Sequence, residues 1–249
     1  MNLRGCLLIS IVFLGGCVTE ITGGLPPPLP AEDRIKANLD LARGYLGKRD
    51  WIRARAPLDR ALGIDPRSVE TLVLFGVLYE SQGDPGLAEE HYRRALEEDP
   101  GNSQALNNFG AYLYRQARFE EALTLLRRLV GNTQYRMRAQ AYENLGLAEL
   151  AAGDPSAAES AFVRALQLDY RQVRSTLELA DLHFQRGDLR MAREFYDTYL
   201  NQASQTSRSL CVGVHLAGAE GDNDKRASYA MALENLYPET ARECGVPSG

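Results

Sequence analysis

The side chains best able to do chemistry in this 249-residue chain are its three histidines and four cysteines, and their spacing leaves them little to do. His91, His183 and His215 stand far apart, and none has a second histidine at the one-turn helical spacing that metal sites use. Neither a phosphate-cradling glycine loop nor a Gly-x-Ser-x-Gly nucleophile elbow occurs. Acidic residues alternate with basic ones at helical spacing, as in Glu89-Glu90 before Arg93-Arg94, which describes a solvated face laced with i,i+4 pairs. No catalytic residue, metal or cofactor is therefore expected. Among the cysteines, Cys211 and Cys244 have only His215 nearby, which leaves a disulfide, a metal site or a reactive thiol as the alternatives.

The other two cysteines lie near the N-terminus. Residues 1–16 have the form of a secretory signal: Arg4 is the only charge, Leu7 to Leu14 form a short apolar run, and Gly15-Gly16 supply small residues before Cys17. That run is too short to remain as a membrane-spanning helix. Leu14-Gly15-Gly16-Cys17 resembles the bacterial lipobox, which implies cleavage before Cys17 and acylation of its sulfur with a palmitate-type chain. The alternative is an ordinary secreted protein with an incidental cysteine. Val18 follows where an aspartate would resemble the inner-membrane retention signal, so the expected location is the periplasmic face of the outer membrane. Residues 17–33 form a tether with Gly23-Gly24, Pro26-Pro27-Pro28 and Pro30. Consecutive prolines favour polyproline II, and at about 3.1 Å per residue such a spacer reaches roughly 50 Å.

Residues 34–249 must supply whatever architecture positions a binding surface. From Val69, apolar or small residues fall at Leu72, Phe75-Gly76, Tyr79, Ala88, Tyr92 and Ala95, with Gly83-Asp84-Pro85 midway and Pro100 at the end. This is the spacing of a tetratricopeptide (TPR) helix hairpin, with Gly76, Ala88 and Ala95 where the helices cross. Equivalent units lie near 35–68, 103–136, 139–172 and 173–206, and a divergent sixth near 207–240. The step to Ala139 is two residues longer than the repeat, so a longer connection is expected within Gly131–Arg138. A single hairpin cannot bury both apolar faces, so the fold class is all-α, a right-handed TPR superhelix of about six hairpins. In the last hairpin the antiparallel helices bring Cys211 and Cys244 to one end, which makes a disulfide geometrically sensible. A chain-entropy estimate for that loop is about 3 to 4 kcal/mol.

In a TPR array the first helix of each hairpin lines the groove. Its groove positions here are Leu39, Arg43 and Leu46, then Val73 and Val77, then Asn107, Ala111 and Tyr114, and finally Glu143, Leu147 and Leu150. Leu39 occupies the place of the lysine in carboxylate-clamp TPR proteins, so a mixed apolar and amide groove suits an extended or helical segment with apolar anchors. The formal charge of −5, with both signs interspersed, gives no basic stripe and excludes nucleic acid as the expected partner.

Several stretches coincide with one family: Ala105-Leu106-Asn107-Asn108-Phe109-Gly110, Arg115-Gln116 before Phe119-Glu120-Glu121-Ala122, and Glu143-Asn144-Leu145-Gly146-Leu147 before Gly153-Asp154. With the lipobox and six repeats, the chain resembles the type IV pilus biogenesis and stability lipoproteins, the PilF/PilW pilotin family. Many members carry cysteines near the places held here by Tyr114 and Ala148, and this chain departs from that pattern. The resemblance implies a monomeric outer-membrane lipoprotein whose protein partner is the pilus secretin, helped to its membrane and into its multimer. A TPR adaptor for outer-membrane protein assembly or peptidoglycan synthesis is the alternative.

Overall fold

A computed structural model describes residues 29–246; the expected signal segment, Cys17 and most of the expected tether lie outside the described residues. Thirteen α-helices and no strand occur among them. Twelve helices pair in chain order into six hairpins: α1 (Ala31–Gly47) with α2 (Trp51–Ile64), α3 (Val69–Gln82) with α4 (Pro85–Glu98), and α5 (Ser103–Arg115) with α6 (Phe119–Val130). The series continues with α7 (Arg138–Ala151) and α8 (Pro155–Leu168), α9 (Val173–Gln185) and α10 (Leu189–Gln202), and α11 (Ser207–Glu220) and α12 (Asn223–Leu236). Each hairpin packs on the next, with both of its helices against the first helix of the one that follows, so the molecule is an all-α superhelix.

The second helices begin by a shared device. Asp50, Asp84, Asp154, Asp188 and Asp222 each accept a backbone N–H from the first turn of α2, α4, α8, α10 and α12. Such a cap satisfies one of the four donors a helix start leaves open. The residue before the aspartate turns left-handed, and four of the hairpins place Gly83, Gly153, Gly187 or Gly221 there. The third hairpin keeps the left-handed turn, at Ala117, but has Arg118 in place of the capping aspartate; Arg118 donates to Glu121 at 2.6 Å and to Glu89 at 2.7 Å.

Close crossing of the paired helices depends on glycine at three first helices. A Cβ on Gly76 would lie 2.5 Å from the ring of Tyr92, one on Gly146 2.6 Å from Phe162, and one on Gly110 2.9 Å from Leu126. The large partner side chains are wholly buried, and each contributes about 1.5–3 kcal/mol by leaving water. Two buried tyrosines also stitch neighbouring hairpins: Tyr112 donates its hydroxyl to the Pro85 carbonyl and Tyr196 donates to that of Ser209, both at 2.8 Å.

Two sequence expectations need correction. The tether does not extend to Asp33, because α1 starts at Ala31 with Pro30 as its N-cap, and Glu32 and Asp33 complement the positive end of the helix. At the other end, Cys244 does not follow the sixth hairpin directly. Pro238 stops α12 and starts a short additional helix, α13 (Pro238–Glu243), and Cys244 caps that helix. The chain thereby folds back over α11, bringing Cys211 and Cys244 to a Cα–Cα distance of 5.8 Å with their sulfurs at bonding distance.

Candidate partner-binding groove

The eleven residues expected to line the groove divide by burial. Leu39 and Val73 are 2% and 0% exposed, which corrects their assignment: they belong to the buried apolar core and present no open surface. Asn107 is also buried, and its side-chain oxygen accepts from Asn144 at 3.0 Å. Arg43 is tied to Asp40 and to Glu70, linking α1 to α3. Glu143 accepts from the backbone N–H and hydroxyl of Ser175, at 3.0 and 2.9 Å, so its carboxylate caps α9 from the preceding hairpin. Leu46, Val77, Ala111, Tyr114 and Leu150 keep part of their surface open.

Tyr114, Leu147 and Leu150 meet at one cavity of about 600 Å³. Helices α5 and α7 supply these three, α9 adds Val173 and Leu177, and Tyr199 of α10 closes the apolar floor. Leu147 is 5% exposed yet lines this space, so the cavity rather than the outer surface is what it faces. The polar rim is Arg174, Glu178, Thr206 and Arg208. Counting the same repeat positions through the fifth hairpin gives Arg174 and Leu177, so the sequence carried that signal. Tyr199 comes from a second helix, which groove counting does not reach.

Arg208 gathers the acidic groups at the rim. Arg208 donates to Glu178 at 2.8 Å and to Asp181 at 2.7 Å, and both carboxylates are buried while the guanidinium is half exposed. Burial opposes the charge on Arg208, but Glu178 and Asp181 outweigh it and hold its pKa above the ordinary value. With Arg174 also on the rim, the two carboxylates are matched by two guanidinium groups. An apolar cavity with such a rim suits a side chain of Leu, Phe or Tyr type on a partner segment. A second cavity of about 930 Å³ lies between the 131–137 connection and the α8–α9 connection, but polar and charged residues border most of it.

The histidines do not converge on this cavity. His91 stacks with Phe75 and Tyr79 at 5.0 and 5.3 Å between centroids, and burial, with Arg94 beside it, holds its pKa below the ordinary 6.5. His183 stacks on Phe195. His215 lies 3.1 Å from the Cys244 carbonyl and, with Cys211 and Cys244, forms a group whose donor atoms fall within 4.8 Å of one another. Sulfurs bonded to each other have no thiolate to give a metal.

Comparison with known proteins places these features in a lineage. Residues 39–103, 79–141 and 143–207 match family models described as tetratricopeptide repeat. The chain is 37% identical over 243 residues to the type IV pilus assembly protein PilF of Pseudomonas aeruginosa, covering 96% of this chain and 95% of that one. A solved structure of Pseudomonas aeruginosa PilF superposes with a TM-score of 0.80 at 36% identity, over 86% of this chain and 97% of the other. The crystal structure of PilW, described as a widely conserved type IV pilus biogenesis factor, gives a TM-score of 0.75 at 23% identity, over 84% and 97%, and speaks for the fold.

Proposed function

The chain belongs to the tetratricopeptide-repeat family of the type IV pilus assembly protein PilF, and from that premise we propose that it is the outer-membrane lipoprotein that localises and helps multimerise the pilus secretin. It is a type IV pilus biogenesis factor, and its work is binding rather than bond chemistry. The observation that carries this reading is the cavity joining Tyr114, Leu147 and Leu150 to Leu177 and Tyr199, an apolar socket framed by Glu178, Arg174 and Arg208. The lipobox at Cys17 supports the anchored form: each buried CH₂ of an acyl chain contributes about 0.8 kcal/mol, and a tethered socket raises the effective concentration of secretin subunits at the membrane. We take the Cys211–Cys244 pair to be oxidised in that compartment.

Two variants test the reading. Cys17→Ser leaves a folded protein and displaces the secretin from the outer membrane in cell fractionation. Leu150→Glu keeps the protein at the membrane and removes secretin from pull-downs of the lipidated chain. Normal secretin multimers in the outer membrane of the Cys17→Ser strain would refute the anchoring role, and undiminished capture by Leu150→Glu would refute the socket.

A further inference from the structure

The six hairpins are internal controls for one another, and the tip of the first departs from the rest. At the second residue of the second helix, the later hairpins place Gly86, Glu120, Ser156, Arg190 and Asp224; the first places Ile52. Ile52 is 87% exposed, the most open large apolar side chain among the described residues. In the left-handed turn position that four hairpins give to glycine, the first has Arg49, preceded by Lys48. Neither cation has a carboxylate partner among the described residues, while Arg53 is held by Asp50 and lies over the Tyr45 ring. Trp51, the single tryptophan of the chain, sits half-buried at the base of this tip.

Charge along the chain follows the same division. Residues 29–64 carry eight Lys or Arg against five Asp or Glu, whereas residues 65–249 carry nineteen against twenty-seven. The positive hairpin is also the one that adjoins the N-terminal segment. The thirteen residues between Cys17 and Ala31 span at most about 45 Å, and the 17-residue α1 is about 25 Å long. A lipid held at Cys17 and the far tip of the first hairpin can therefore reach one surface together.

We propose that the α1–α2 tip is a second membrane contact, seating Ile52 in the interface of an anionic bilayer while Lys48 and Arg49 pair with lipid phosphates. Exposed apolar and basic side chains on one tip match the two components of peripheral membrane binding, and a basic patch beside an acyl chain supplies the second signal that durable anchoring needs. Repelled by the same phosphates, the acidic later hairpins stand away from the surface, which leaves the socket between α5 and α11 open to a partner. This orientation rests on the membrane-anchored reading above for its setting.

The test uses the chain from Val18 onward, which keeps every described helix and has no Cys17, with circular dichroism to verify the fold. Its outcome is thus independent of acylation. The chain co-sediments with vesicles of phosphatidylglycerol and phosphatidylethanolamine, releases at high salt, ignores phosphatidylcholine vesicles, and shifts the emission of Trp51 to the blue. Ile52→Ser lowers the partition coefficient roughly tenfold. Lys48→Glu with Arg49→Glu lowers it by at least about 25-fold, about fivefold for each cation removed. Equal binding to both vesicle types, or binding that both variants retain, overturns the proposal. So does an absence of vesicle binding, including the case where Ile52→Ser instead weakens capture of a protein partner.

Discussion

Gly76 shows how much a single position decides. With Tyr92 already 0% exposed, a methyl at Gly76 has no space, and Gly76→Ala is expected to destabilise by about 1–3 kcal/mol. Gly63, on α2, has nothing within 4 Å of an added Cβ, so Gly63→Ala is expected to be neutral or to stabilise by up to about 1 kcal/mol. Opposite shifts of Tm for the two variants verify the distinction. His91 gives a pH signature at the same scale. Burial lowers its folded-state pKa below 6.5, so below that pH the unfolded chain takes up the proton more readily than the folded one. Stability is full above pH 6.5 and declines as pH falls from there towards the folded value. His91→Leu flattens that limb of a Tm-against-pH curve. The glycines and small residues at crossings were legible in the sequence because repeat spacing marks them. The enclosure of Leu39 and Val73 was not, since repeat position fixes which side of a helix a residue takes and the neighbouring hairpin decides how much of it stays open.

At the scale of elements, the aspartate caps explain why five of six second helices start where they do. Asp154 accepts from Ser156 and Ala157 at 3.1 and 2.8 Å, and Asp154→Ala is expected to cost about 1 kcal/mol, read as a lower Tm with native helix content at 25 °C. Asp50 and Asp222 are held below the ordinary carboxylate value of 3.8, first by the backbone N–H groups of Arg53 and Lys225 respectively. Their contribution is therefore present above that pH and lost as pH falls below it. Gly-Asp pairs announce four of these starts in the sequence, and Arg49-Asp50 lacks the pattern. The α13 helix is not legible from periodicity, because six residues are too few to establish a period and Pro238 falls where Pro100 ends the second hairpin.

At the scale of the whole molecule, the terminal hairpin has one neighbour, so α13 and the Cys211–Cys244 contact supply what a following repeat would have given. Cys211→Ser is expected to remove roughly 3–4 kcal/mol from this end while the first five hairpins stay helical. Hydrogen exchange confined to α11–α13 would bear this out, and a thiol assay on unreduced protein would find neither Cys211 nor Cys244 reactive. The order and number of hairpins could be read from residue spacing alone. The socket could be read only in part, because it draws on α5, α7, α9, α10 and α11 together, and no local pattern reports where the curvature of the stack brings side chains from four hairpins into one space.

Among the described residues, helix contacts never reach past the adjacent hairpin. Nothing in such a chain must wait for distant segments to meet, so it assembles quickly and from any starting point. Pulled from its two ends, it should yield as a row of slats does, in a sawtooth of small, similar force steps, and the slat pinned by sulfur should be the last to let go.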